Sequence, residues 1–410
     1  MTSLWRHQDF LKLWAGQTVS QFGSLVGQIA LLLVAAITLD ASPLEVSVLR
    51  VAQHVPALLL GLYAGVWVDR LRRRPILIWS DAWRALLLAS IPLAASLGLL
   101  RVEQLWLVAL LVGGLGTLFE VAYRSYLPSL VAKEQLLEGN AKLQATSSIA
   151  EVAGFGVAGA LVQTLTAPVT LLVDAGSFVV SAVSVALIRR REPPPTAAAD
   201  ADDAWREIRI GLRYVLGDPV LRALAGARAT GDFFVGGVWA SVLVLFILRE
   251  LGVEPWLMTA IFAIGGVSSF VGALFVERVV ARFGIGRSLI GATLVYRLTP
   301  FFVPLAAGPF WLVVVWLTAN QCSDAAWLVH DVGETSLVQS AVPDRLLGRV
   351  NACFRVLSQA AILGGTLVGG VLAEVVGLRA TMLLGATGGL SAVVWLVFSP
   401  LRAAAPGSSG

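Results

Sequence analysis

The chain has 410 residues, 57% hydrophobic and 14% charged, and its 30 basic and 26 acidic side chains leave a net charge of +4. A soluble domain carries about 25% charged residues. These proportions and a mean hydropathy of +0.81 exclude an ordinary soluble protein and predict an all-α integral membrane protein. Only Lys12, Lys133 and Lys142 among the basic residues are lysine, and the arginines gather between apolar runs without interleaved aromatics. That distribution points to membrane topology and away from nucleic acid as a partner.

Residues 1–12 are a polar start, with Trp5 and Trp14 placed like interface anchors. A spanning helix needs about 20 apolar residues. Runs of that kind predict spans at 13–39, 45–68, 76–99, 105–127, 139–165 and 168–188. A Pro-Pro-Pro and Ala/Asp-rich stretch then reads as a linker, 189–216, whose segment 205–216 is an amphipathic helix lying on the membrane with Arg206, Arg209 and Arg213 near its polar face. Six more spans follow at 220–248, 255–276, 288–306, 310–340, 346–375 and 379–401, before a disordered tail at 403–410. The first run is too long for a cleavable signal peptide and continues into further spans. Cys322 and Cys353 both lie in apolar runs, so no disulfide framework is expected.

Between spans 2 and 3 stands Gly65-Val-Trp-Val-Asp69-Arg70-Leu-Arg72-Arg73-Arg74. Each of those charges costs several kcal/mol in hydrocarbon, so the chain must reverse there in water. Arg70 to Arg74, Lys133, Arg189 to Arg191, Arg278, Arg282, Arg287, Arg345 and Arg349 mark one side of the membrane, against Arg101, Arg249 and Arg379 on the other. The positive-inside rule then places both termini in the cytoplasm.

The halves repeat. Val68-Asp69-Arg70 returns as Val276-Glu277-Arg278, a shift of 208 (277 − 69), and the stretch around Asn140 returns around Asn351, a shift of 211 (351 − 140). The predicted bundles are 1–188 and 217–402.

The G-x-x-x-D-R-x-x-R-R pattern resembles the signature between helices 2 and 3 of the major facilitator superfamily of secondary transporters. Further stretches are similar to its drug:proton antiporter branch, which includes macrolide-efflux-like and siderophore-exporter-like proteins. They are Leu13-Trp14-Ala-Gly16-Gln17-x-Val-Ser20, Asp81-x-x-Arg84, Glu134-Gln135-Leu136 and Val342-Pro343-Asp344-Arg345-Leu-x-Gly348-Arg349-Val350. Three positions depart from that branch. Val112-Gly113-Gly114 stands where related antiporters carry an Arg, Phe155 where many carry a Pro, and Ser24 where many carry an Asp. The resemblance implies twelve transmembrane helices in two six-helix bundles, and a monomer in the bacterial inner membrane. It also implies proton-driven export of a small, largely apolar compound. A lysolipid or lipid flippase and a solute uptake symporter are the alternatives on the same fold. It further implies that Gly65, Asp69, Arg70, Arg73 and Arg74, with Glu277 and Arg278 in the second half, form a gate in which Asp69 meets the start of helix 11.

Intramembrane ionisable residues are functional candidates by default. Asp232 lies about 18 Å from the cytoplasmic end of span 7, one turn after Arg228, and is the first candidate for proton coupling. Glu120, about 22 Å from the outer end of span 4, is the second, with Arg124 four residues on. Both acids also admit a static reading as ion pairs. Asp324, His330, Asp331 and Glu334 of span 10 are expected to line the inner cavity mouth and take part in gating or proton exit; Asp324 and Asp331, seven residues apart and on one face, are further candidates for proton coupling. His330 and Glu334 are four apart, but no third ligand converges on them and no metal is expected. Gln17, Gln21, Ser24 and Gln28 form a polar stripe on span 1, a candidate cavity wall or interhelical glue. Phe119, Phe233, Trp239 and Trp327 are the aromatic candidates for substrate contact. Glu151, Asp174, Arg297 and Arg355 are expected to be interhelical partners, and Asp81 with Arg84 to brace the basic turn.

An enzyme is not expected. None of the lysines follows a Gly, so no P-loop exists, and no G-x-S-x-G or H-E-x-x-H occurs. No cofactor is implied. A channel would need a pore ring instead of scattered buried charges.

Overall fold

The computed structural model describes residues 4–132, 135–190, 192 and 201–403. Within these, side chains are described except at 6, 61–66, 69–70, 137, 145, 148–149, 151–153, 155–156, 201–208 and 402–403. The side chains of Asp69, Arg70, Glu151 and Phe155 and the surroundings of Gly65 therefore lie outside what is described, as do Lys133, Glu134 and the tail from 404.

The described chain is helical throughout. The first half comprises α1 (Gln8–Thr38), α2 (Pro43–Arg70), α3 (Arg73–Ser96), α4 (Val102–Leu130), α5 (Leu136–Leu165) and α6 (Ala167–Ala186). After α7 (Ala201–Gly217) come α8 (Pro219–Glu250), α9 (Pro255–Phe283), α10 (Ile285–Leu305), α11 (Phe310–Ala341), α12 (Asp344–Val376) and α13 (Leu378–Val397). Among the described residues ten helices are long and apolar enough to cross a membrane. The 28-residue α2 and 30-residue α5 each contain side chains outside the described set. The chain divides into two compact units, one of Met1–Ala41 and Leu49–Ala201, the other of Ser42–Val48 and Asp202–Gly410.

Local chemistry sets the helix starts. Asp40 takes the left-handed backbone (φ 48°) tolerated by Asp. The Ser42 amide donates to Glu45 Oε2 (2.7 Å) and the Glu45 amide to Ser42 Oγ (3.3 Å), a capping box that begins α2. Gly284 (φ 78°) makes the turn from α9 to α10.

The expected reversal at the basic motif is shorter than the charged stretch itself. α2 continues through Arg70 and α9 through Phe283, so Asp69, Arg70, Glu277 and Arg278 are helical. Once past the apolar run a helix still satisfies its own backbone, and the reversal shrinks to Leu71 and Arg72.

Small residues let the helices of each unit approach. α1 packs most extensively on α6, and Gly23 and Gly27 lie against Ser177 and Asp174. In the second unit α8 packs on α12 and α13, with Gly237 of α8 against the backbone of Gly365. The amphipathic α7 also belongs to the second unit. Val215 is buried, Tyr214 Oη donates to the Ala341 carbonyl (3.3 Å), and Gly211 abuts the Arg349 carbonyl. Protein covers that part of its apolar face, while Leu212 and Leu216 remain exposed.

Candidate functional site

Three helices of the second unit lose regular α geometry at the same place. α8 is π-helical from Asp232 to Trp239, α10 tightens to a 3-10 turn at Thr299–Phe301, and α11 breaks at Ser323 between Cys322 and Asp324. Irregular backbone is tolerated inside a membrane protein where it lines a cavity or is buried in protein. π-Bulges are frequent at functional sites. A cavity of about 280 Å³ lies there. α8 contributes Arg228, Asp232, Gly236 and Trp239, α10 contributes Tyr296, Arg297 and Pro300, and α11 contributes Asn320, Asp324, Trp327, His330, Asp331 and Glu334.

The charges in it are connected. Arg228 Nη1 lies 3.1 Å from Glu334 Oε2, and its Nε lies 3.8 Å from Asp232 Oδ2. Ser358 Oγ of α12 donates to the same Asp232 oxygen (2.5 Å). His330 Nε2 is 3.3 Å from Glu334 Oε2, and its Nδ1 is 2.8 Å from Thr293 Oγ1. Arg297 Nη1 donates to the Gly231 carbonyl (3.0 Å), and its guanidinium lies 4.5 Å from the Tyr296 ring centroid. Trp239 Nε1 donates to the Pro300 carbonyl (3.1 Å), and Trp327 is 45% exposed. Four carboxylates thus face two guanidiniums and one imidazole beside two indoles.

The first unit has its own polar cavity, about 310 Å³, lined by Ser24, Gln28, Gln53, His54, Arg84 and Asp174 among others. Arg84 pairs with the fully buried Asp81, and its guanidinium stands 4.1 Å from the Phe178 ring centroid and 4.6 Å from that of Phe119. Ser24 Oγ donates to Asp174 Oδ1 at 3.5 Å.

Several expected site residues converge and others do not. Asp232, Asp324, Asp331, Arg228, Trp239 and Trp327 share the second-unit cavity, while Ser24 and Gln28 share that of the first. Gln17 is buried away from that cavity, and Gln21 is outside it too. Phe119 is buried beneath Arg84 and stacked on Tyr123, 6.1 Å between centroids, so it is core. Phe233 turns from the second cavity to α12, its carbonyl against Gly365 and its ring near Gly364. Glu120 and Arg124 form their intrahelical pair (2.7 Å), and both side chains are exposed. Asp174 and Arg297 make the expected interhelical contacts, and both also line cavities.

The basic turn is held by a residue that spacing did not reveal. Asp81 and Arg84 point toward α4 and α6. Glu192 instead accepts from the backbone amides of Arg73 (2.8 Å) and Arg74 (3.2 Å), with Arg73 Nη1 3.5 Å away. A carboxylate on those amides caps α3 and complements its dipole. Arg74 Nη2 donates to the Ala186 carbonyl (2.5 Å). In the second half Glu277 and Arg278 are exposed, Arg278 Nη1 donating to its own helix at Leu274 (3.4 Å). Among the described residues no three His, Cys, Asp or Glu side chains converge as metal ligands.

A family model described as a transmembrane secretion effector matches residues 2–407. The chain belongs to that family. Its relatives are major facilitator superfamily (MFS) transporters, so it is a membrane transporter and not an enzyme. It is 26% identical over 398 residues to the uncharacterized MFS-type transporter YfiS of Bacillus subtilis (strain 168), covering 93% of this chain and 91% of that one. It is 28% identical over 358 residues to the multidrug efflux pump Tap of Mycolicibacterium fortuitum, covering 84% of each. Among solved structures, a bacterial homologue of the iron transporter ferroportin in an inward-facing state superposes with a TM-score of 0.77 at 18% identity, over 97% of this chain and 99% of that one. That likeness is one of fold.

Proposed function

We propose that the transporter is a proton-coupled exporter of a small, largely apolar compound, with twelve membrane crossings and both termini in the cytoplasm. The observation that carries this reading is the second-unit cavity, where Asp232, Asp324, Asp331 and Glu334 lie beside Trp239 and Trp327 at the breaks of three helices. Carboxylates held in such a place change their hold on a proton as water enters and leaves, and indole faces suit an apolar or cationic body. The similarity to Tap, an efflux pump by name, favours export over uptake.

In this reading the exporter alternates access, and the acids take up a proton on one side and release it on the other. A proton crossing the membrane supplies about 2.3 kcal/mol per 100 mV. Asp69 and the arginines that follow it serve as the cytoplasmic gate.

The test is a drug-sensitivity panel in a pump-deficient bacterial host, followed by uptake of the labelled hits into energised inverted vesicles. Export predicts accumulation inside the inverted vesicles and its loss when a protonophore collapses the gradient. Accumulation in right-side-out vesicles would replace this reading with uptake, and accumulation indifferent to the protonophore would remove the proton.

A further inference from the structure

Hydrogen-bond bookkeeping around His330 determines more than its position. Thr293 has one hydroxyl proton and two short contacts, to the Leu289 carbonyl (2.7 Å) and to His330 Nδ1 (2.8 Å). The carbonyl only accepts, so the hydroxyl proton goes to it, and Nδ1 must then be the donor to Thr293 Oγ1. With its first ring proton on Nδ1, a neutral imidazole would turn the bare Nε2 lone pair toward Glu334 Oε2, 3.3 Å away. Two lone pairs facing each other in a buried site repel. A second proton is required between them, either on Nε2 or on the Glu334 carboxyl.

We propose that His330 and Glu334 together hold an exchangeable proton in the second-unit cavity, and that Thr293 is the positioning residue that makes this proton obligatory. The inference rests on the proton-coupled reading above and adds to Asp232, Asp324 and Asp331 a pair whose proton is counted by geometry.

The groups around the pair indicate how that proton leaves. From α8, Arg228 reaches the same Glu334 oxygen (3.1 Å) and also lies 3.8 Å from Asp232. From α10, the Tyr296 ring lies tilted at 52° to the imidazole, 5.2 Å between centroids, and the Arg297 guanidinium lies over the Tyr296 ring. From α11 itself, Asp331 lines the same cavity, and from α12, Ser358 already occupies Asp232. With Arg228 on Glu334 the carboxylate is doubly compensated, and the proton sits on His330. A shift of Arg228 toward Asp232 leaves Glu334 with the imidazolium alone, and the proton passes to the carboxyl. The proton position is thereby tied to which acid Arg228 serves, and Arg228 and Asp232 are one turn apart on the helix that becomes π-helical at Asp232.

The test reads the ring directly and needs no substrate. The chain has three histidines, so the H7N/H54Q variant labelled with ¹⁵N-histidine shows His330 alone by solid-state NMR in lipid. A wild-type minus H330Q difference spectrum serves if that variant does not fold. At neutral pH the expected spectrum has Nδ1 protonated, with the further proton on Nε2 or, by ¹³C shift, on the Glu334 carboxyl. In E334Q the glutamine amide can donate to Nε2, so the ring should lose its second proton and keep the one on Nδ1. In T293V the ring should become neutral with its proton on Nε2. A wild-type ring that is neutral and protonated only on Nε2 would overturn the proposal, because Thr293 would then be donating to Nδ1 and no extra proton would be needed. So would an E334Q ring that keeps both protons. Failure here leaves vesicle transport unaffected, so the two readings fail separately.

Discussion

Asp232 stands where α8 passes into π geometry, between Arg228 on its own helix and Ser358 on α12. Its Asn variant keeps the shape and the hydrogen bond but cannot carry a proton. D232N is therefore expected to express normally and to lose at least about tenfold in gradient-driven export, a change equal to about 1.4 kcal/mol in the barrier. Initial efflux rates at equal protein level measure this. At Gly27 a methyl group would collide with the buried Asp174 carboxylate, whereas at Gly114 the nearest side-chain atom is 3.6 Å from an added Cβ. Overpacking of a fitted contact costs about 1–3 kcal/mol, so G27A should lower thermal stability while G114A stays within about 0.5 kcal/mol, both read by melting in detergent. Among single residues the sequence separated candidates poorly. Periodicity puts Phe119 and Phe233 on helices that meet a cavity, but it does not fix which way each side chain faces: the Phe233 ring lies near Gly364 of α12, and Phe119 lies beneath Arg84.

At the scale of elements, the apolar runs were readable because a hydrocarbon slab imposes a length. The ends were not, because a helix continues into water at little cost. α2 and α9 each carry their motif residues on the helix end. The breaks in α8, α10 and α11 were also hidden. Pro300 was visible, but Asp232–Trp239 has no Pro to mark its π geometry, and the close approach of Gly237 to α12 is a tertiary contact. Glu192 was unreadable as a cap because it lies 118 residues or more from the amides it accepts from. Loss of a side-chain cap costs about 0.5–2 kcal/mol. E192A should therefore destabilise the first unit by that amount, seen as a lower melting temperature, and E192Q should recover part of it because an amide oxygen still accepts.

For the whole molecule, composition and loop charge carried the membrane class, and the repeat predicts two halves, whereas the compact units put Ser42–Val48 with the second. Neither fixes how many helices cross. The topology proposed here predicts that a cysteine introduced near either terminus, in a background lacking Cys322 and Cys353, reacts with membrane-impermeant maleimide only from the cytoplasmic side. Labelling of one terminus from outside would break the two-bundle account.

The central claim is that acids inside the second-unit cavity exchange protons as cargo moves. The most direct measurement reconstitutes the transporter in proteoliposomes with an internal pH-reporting dye and follows proton movement during expulsion of a compound that the wild type exports. The account predicts protons moving opposite to the compound, with that flux lost in both D232N and E334Q. Compound movement at the wild-type rate with no proton flux, or undiminished proton flux in both variants, would contradict it.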